Sequence, residues 1–330
     1  MLAATGAGSA RSVDCLPHSA LPMKPQIGIA HAAYYLPGGV RDVSGWAART
    51  GAPRHHAMQL GRAGAHLYRD AAGESVLTMA ATAVKTLLDE TALEPASIDC
   101  LVYTHTLQMS VAPPPLSLPR LLCCHCGLAR AEAFSFSQQH CASLLAALRI
   151  IRAMFAARPA LARVLLVGAD AMPYEPDRSV NGAGLMSDGA AAALIARNTP
   201  ANRLAALATH TRADDWRGAL APVHPLRAAQ ELLDARALIR QVCAQAGLEP
   251  HAIGRVLPHH LDLPGWRRLL ASLDIPPERL YVANFARIGH ASVSDALINL
   301  RDCTSLQHGE PVLLFASGVG GFSAAALLLH

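Results

Sequence analysis

Cys141 lies in Ser135-Phe136-Ser137-Gln138-Gln139-His140-Cys141-Ala142-Ser143, between two segments of different period. Residues 133–136 read as a strand, and residues 144–151 carry the apolar spacing of a helix. The thiol therefore falls on the first turn of a helix, where unpaired N–H groups and the positive end of the helix dipole stabilise a thiolate. Val256-Leu257-Pro258-His259-His260-Leu261-Asp262 reads as a buried strand ending at two histidines, and strand ends are where α/β folds form their sites. Pro258 fixes the exit direction. Arg287-Ile288-Gly289-His290-Ala291-Ser292 is a glycine turn into a helix. Ala316-Ser317-Gly318-Val319-Gly320-Gly321-Phe322 is a glycine-rich turn between strands at 311–316 and 322–329, and its glycines let backbone N–H groups point inward at close range. These are the parts of an acyl-transfer site. A thiolate attacks a thioester carbonyl, backbone N–H groups hold the oxyanion, and a neutral imidazole polarises a carbonyl or takes a proton from the acceptor.

Each of these residues also has a structural reading. Cys141 is then a core cysteine, His259 a strand-end histidine and His290 a remnant of a lost site. His260 is read as a neighbour that packs or orients, His140 as a pocket wall, and Asp188 as a turn-fixing carboxylate. Arg49, Arg54 and Arg62 are read as solvated surface arginines.

The elements that must position these groups follow from pattern. Residues 27–35 form a first strand, 75–88 an amphipathic helix and 100–103 a short buried strand. Residues 46–66 show no firm period and read as loop-rich with short helices. A proline-stiffened loop at 111–115 precedes a helix at 116–128, and a long helix at 141–158 leads to a buried strand at 163–167. Residues 190–195 are again strand-like. The order then repeats. Leu93-Glu94-Pro95 before a strand returns as Leu248-Glu249-Pro250 before another. Cys141-Ala142-Ser143 opens a helix 23 residues before Val164, and His290-Ala291-Ser292 opens one 22 residues before Val312. This argues an internal duplication, with Cys141 and His290 in equivalent places and their helix starts brought together about a pseudo-twofold axis.

A chain of 330 residues that is 52% hydrophobic and 16% charged is globular, with one or two domains. A formal charge of +4 is too mild to imply nucleic acid. Eight cysteines at these spacings are not a disulfide framework. Cys123-Cys124-His125-Cys126 continues a helical run and lacks a second ligand pair at finger spacing, so no metal is expected. No apolar run is read as reaching the ~18 residues that span a bilayer. Residues 1–22 are expected to be a disordered extension ahead of a functional start at Met23.

Taken together, Tyr35-Leu36-Pro37, the nucleophile segment 133–148, Gly168-Ala169-Asp170, Ser187-Asp188-Gly189-Ala190-Ala191, Pro258-His259-His260, Gly289-His290-Ala291-Ser292 and Gly318-Val319-Gly320-Gly321-Phe322 run in one order over residues 27–330. In that order the chain resembles the thiolase superfamily, and within it the beta-ketoacyl-ACP synthase III branch. The resemblance implies an α/β fold of the thiolase-like duplicated α-β-α-β-α five-layer type. An N-terminal half would span 23–197 and a C-terminal half 198–330. It implies Cys141 as the acylated nucleophile, His259 as the catalytic histidine, and an oxyanion hole of the Cys141 N–H with the N–H of Gly320 or Gly321. It implies no cofactor, coenzyme A or phosphopantetheine thioesters as substrate, acyl-CoA or acyl carrier protein as partners, and a cytoplasmic homodimer, with a heterodimer as the other assembly. At His290 the resemblance departs from the branch, whose chain-elongating members carry asparagine there. An imidazole donates one hydrogen bond as an amide does, but it also acts as a base. The implied activity is acyl loading onto Cys141 and passage to a malonyl thioester or a heteroatom acceptor in a specialised fatty-acid or polyketide-type pathway. A non-catalytic partner subunit and a thioesterase-like hydrolase are the rivals.

Overall fold

The computed structural model describes residues 26–213 and 226–330. The expected extension at 1–22 lies outside the described residues. The first half runs through β1 (Ile27–Tyr35), β2 (Gly39–Asp42), α1 (Val43–Thr50), α2 (Arg54–Arg62), β3 (Leu67–Asp70), α3 (Val76–Thr91), β4 (Cys100–Thr104), α4 (Leu118–His125), β5 (Glu132–Ser135), α5 (Ser143–Ala157), β6 (Arg163–Asp170) and β7 (Gly189–Arg197). The second runs through β8 (Arg203–Thr211), α6 (Arg227–Gln245), β9 (Arg255–Leu257), α7 (Leu263–Ala271), α8 (Ala283–Ile288), α9 (Asp295–Asp302), β10 (Pro311–Gly318) and β11 (Phe322–Leu329).

The strands lie in the order β5-β4-β6-β7-β1-β8-β11-β10-β9. Read outward from the centre, β1-β7-β6-β4 matches β8-β11-β10-β9. In each half the two strands farthest out in this match are parallel and the other pairs antiparallel. Among the described residues the strands of the two halves pair at one position between β1 and β8, Gly28 with Arg203. Among the described residues the strand β5, beyond β4, has no counterpart beyond β9. The duplication is therefore written in the topology, including the proline-led 3₁₀ turns Pro95–Ser97 and Pro250–Ala252 ahead of β4 and β9.

Period-2 alternation divides the strands between layers. Val312, Leu314 and Ala316 of β10 face the middle layer with α5 and α9, while Leu313 and Phe315 face α6 and α7. In β7, Ala191, Ala193 and Ile195 face the middle and Ala190, Ala192 and Leu194 face α3 and α4. Two sheets thus enclose a helical layer and carry helices outside, the five-layer arrangement. Helix α3 starts at Ser75, whose side chain accepts the Thr78 N–H.

Two segments differ from the sequence reading. Residues 46–66 hold the expected short helices but less loop than expected. They hold α1 and α2, with Asp42 capping α1 through the Gly45 N–H and Gly51 ending it at φ 69°. The arginines and histidines on these short helices hide their apolar face, Val43, Trp46 and Leu60, which packs with Tyr68 and Leu185. The stretch 140–157 has the length and mean hydropathy, 1.4, of a membrane span, contrary to the reading of the sequence. Here it forms the α5 region of the middle layer, where both sheets cover its apolar side chains. Residues 123–126 sit at the end of α4, with Cys123 and Cys126 turned into the outer core and Cys124 exposed.

Candidate active site

Cys141 is the second residue of a 3₁₀ turn, His140–Ala142, that feeds α5. A matching turn, Ser292–Ser294, feeds α9. Both turns open on a residue in the left-handed region, His140 at φ 49° and Ser292 at φ 53°. The first turn packs on β10, the second on β6, and the two on each other. This corrects the predicted equivalence: by turn position Cys141 corresponds to Val293, and His290 lies ahead of its turn. The matched spacing to the following strands misled, because α5 has 15 residues and α9 has 8. His290 enters the site because Gly289 bends at φ 67°, where an added Cβ would lie 2.9 Å from the Leu185 oxygen and 3.0 Å from the Leu67 oxygen. The His290 N–H then donates to Leu185 O at 2.9 Å, and the Ser187 N–H to His290 O at 2.8 Å.

Cys141 Sγ lies 3.2 Å from His290 Nε2, and His290 Nδ1 lies 2.6 Å from Asp295 Oδ2. Cys141, His290 and Asp295 are all buried. Asp295 also accepts the His260 N–H at 2.8 Å and the Ala291 N–H at 2.7 Å. His259 stands across from this line, its ring 6.2 Å from that of His290 and packed on Trp266 and Phe315. Its Nδ1 accepts the Ser317 N–H at 3.3 Å, so the neutral ring carries its proton on Nε2. His260 points away, with Nδ1 2.7 Å from Gly289 O and Nε2 2.8 Å from Asn299 Oδ1.

The two site histidines are pushed in opposite directions. Burial, then the charge on His290, lowers His259 to about 3. Burial works against the charge of His290, but the Asp295 carboxylate and then the Cys141 sulfur outweigh it and raise that imidazole well above its ordinary value. Burial would raise Asp295, but His260 and His290 hold it well below the usual carboxylate range. Unfolded His259 takes a proton below 6.5, whereas the folded ring takes one only near 3. Over that window the unfolded state binds more protons, so acidification costs stability at about 1.4 kcal/mol per pH unit from this group. His290 acts oppositely: its contribution is fully present below 6.5 and is lost as pH rises through its raised folded value. Denaturant unfolding of His259→Gln between pH 6.5 and 5 is expected to lack about 2 kcal/mol of the acid loss shown by the unmodified protein. An unchanged acid slope would mean that His259 is not buried neutral.

The structure brings together Cys141, His259 and His290. Gly320 and Gly321 form the tip of the β10–β11 turn at φ 92° and 77°. The loop glycine seated on the nucleophile turn is Gly318, where an added Cβ would lie 2.6 Å from Gln139 O and 3.3 Å from Cys141 N. Sequence reasoning placed Gly318 in the loop but favoured Gly320 or Gly321, and it missed Asp295 and Asn299. An acid five residues after His290 at a helix start was the one available signal for Asp295. His140 lies beside Phe322, its ring centroid 6.0 Å away. Asp188 accepts two hydrogen bonds from buried Arg178, and Arg49 is held by Glu175 and Tyr68. No cluster suited to a metal ion occurs among the described residues. A surface cavity of about 510 Å³ is lined by Tyr34, Glu90, Arg287, Arg301 and Asp302, and none of the three predicted side chains borders it.

The family model described as 3-oxoacyl-[acyl-carrier-protein] synthase III matches residues 137–214, and the model of its C-terminal part matches 243–330, together just over half of the chain. The beta-ketoacyl-[acyl-carrier-protein] synthase III of Aquifex aeolicus is 27% identical over 291 residues, covering 82% of this chain and 88% of the relative. The enzyme of the same description from Nitratidesulfovibrio vulgaris is 28% identical over 300 residues, with 80% and 85% covered. Among solved structures, the 3-oxoacyl-(acyl carrier protein) synthase III of Pseudomonas aeruginosa superposes with a TM-score of 0.80 at 19% identity, covering 92% of this chain and 98% of that one. The chain belongs to the 3-oxoacyl-[acyl-carrier-protein] synthase III family of condensing acyltransferases.

Proposed function

We propose that this protein loads an acyl group from acyl-CoA or an acyl carrier protein onto Cys141 and passes it to a second substrate. The observation that carries this reading is the 3.2 Å approach of His290 Nε2 to Cys141 Sγ, with Asp295 behind the ring. His290 takes the thiol proton, and Sγ attacks the thioester carbonyl. The Cys141 N–H and an N–H of Gly320 or Gly321 receive the oxyanion, while the Nε2–H of His259 holds a substrate carbonyl. The donor thioester is substrate, and no cofactor takes part. The acceptor is a malonyl thioester or a heteroatom in a fatty-acid or polyketide-type pathway. The working form is a homodimer in the cytoplasm, a compartment that suits the seven cysteines found free among the described residues.

Intact-mass measurement after incubation with acetyl-, hexanoyl- or malonyl-CoA and the corresponding acyl carrier proteins tests the reading. The expected result is a single acyl adduct that maps to the peptide holding Cys141. No adduct with any donor would favour a non-catalytic partner subunit instead.

A further inference from the structure

The surface cavity of about 510 Å³ draws its lining from both halves, with Tyr34 and Glu90 from the first and Arg287, Arg301 and Asp302 from the second. Its carboxylates are already filled. Asp302 accepts the Tyr34 O–H on Oδ1 at 2.8 Å, and on Oδ2 it accepts Asn284 Nδ2–H at 3.0 Å and Arg287 Nη2–H. Glu90 accepts Arg301 Nη2–H on Oε1 at 2.8 Å, and its Oε2 lies 2.6 Å from His31 Nε2. Donors remain over. Arg287 spends Nε and Nη2 on Asn284 Oδ1 and Asp302, which leaves Nη1 open. Arg301 spends Nη2 alone among the described residues, and its side chain is half-exposed.

Arg69 on β3 adds a third guanidinium. Helix α8, which carries Arg287, packs against β3, and Arg69 lies close enough to Arg287 and Tyr34 for both to act on its charge. Burial works against that charge, and the charge of Arg287 then adds to the penalty. Arg69 Nε is buried with no hydrogen-bond partner, and no carboxylate pairs with the side chain among the described residues. A buried arginine N–H without an acceptor is rare in folded proteins and points to a group that completes it.

We propose that this cavity binds a small organic oxyanion, a carboxylate or a phosphate ester on a hydroxylated body, with Arg69, Arg287 and Arg301 around its negative head. Three guanidiniums stand against two carboxylates, so the wall carries one positive charge that nothing in it pairs. A guanidinium takes carboxylate and phosphate oxygens equally well. The cavity volume falls within the roughly 300–1,000 Å³ of small-molecule sites and is too large for a bare inorganic anion. Thr86, Thr304 and Tyr281 add hydroxyls that suit a polar body. The proposal is independent of the acyl-cysteine, because neither Cys141, His259 nor His290 borders this cavity.

The test follows thermal unfolding of the full chain with ribose 5-phosphate, with citrate, and with sodium chloride at matched ionic strength. A dissociation constant of about 1 mM would raise the midpoint by about 2 °C at about 10 mM ligand. The expected result is a saturable rise with at least one of the two organic anions and none with sodium chloride. A rise with ribose 5-phosphate alone assigns the head as phosphate, and one with citrate alone as carboxylate. Arg69→Gln removes a guanidinium that has no partner, so the fold has little to lose, and binding is expected to weaken at least about tenfold. Arg301→Gln is the second variant and is expected to act in the same direction, while Arg130→Gln, an exposed arginine elsewhere, should keep the full rise. Weakening in either cavity variant but not in Arg130→Gln supports the site. No rise beyond sodium chloride with either anion would overturn the proposal. A rise that persists undiminished in both cavity variants would overturn it too, since the anion would then sit elsewhere, the Cys141 site included.

Discussion

Cys141→Ala is expected to abolish acyl loading and to lower transfer by about 10³-fold or more, because a nucleophile and its base act as one unit. Three other buried cysteines do not stand in for it. Burial pushes Cys100 up to about 12 and Cys126 and Cys243 up to about 11, leaving these thiols protonated at neutral pH. The variant loses one small buried atom and one hydrogen bond, so its stability should fall by no more than about 1–2 kcal/mol. Intact mass and product formation with the same donor give the readout. Transfer within tenfold of the unmodified enzyme would show that the sulfur is not the acyl carrier.

Arg178→Ala is expected to cost about 3–5 kcal/mol, because it leaves a buried carboxylate without its partner. Its guanidinium, 2% exposed, donates to both Asp188 oxygens at 2.9 Å and to Glu175 at 2.8 Å. It also reaches the carbonyls of Met186 and Met172 and lies over the Tyr68 ring. Burial opposes its charge, and Asp188 and Glu175 more than restore it. Without the arginine, Asp188 keeps only the Ala71 and Met172 N–H groups against an uncompensated buried charge. The damage should reach the site, because residues 185–187 hold the backbone of His290. Thermal unfolding is expected to shift down by roughly 10 °C. Adding Asp188→Asn should recover part of the loss, since the two changes share one interaction. A loss below about 1 kcal/mol would mean that the pair is solvated.

What the sequence disclosed follows from how local each signal is. The continuous apolar strand runs of β7 and β10 and the cysteine at a strand-to-helix turn are visible within ten residues of chain, and the structure places them where the pattern predicts. Asp295 was not visible. A carboxylate opening a helix ordinarily faces water as a cap, and only the packing of α9 between two sheets turns this one toward His290 and His260. The contact of Gly318 with the nucleophile turn is likewise tertiary, since 177 residues separate it from Cys141. The misplaced equivalence of Cys141 with His290 has a physical origin too. Equal spacing counts residues, whereas symmetry is set by turns, and α9 is about two turns shorter than α5.

Cys141 and His290 are 149 residues apart and come from opposite halves of the duplication. The ribosome delivers the N-terminal half first, so the thiol is made long before its base exists. Until α9 and β10 fold in beside α5, Cys141 has no imidazole beside it and no glycine loop against its turn. A stalled or truncated chain therefore shows passing thioesters an unassisted thiol. Pairing of the sulfur with its imidazole therefore waits for the second half of the chain to fold.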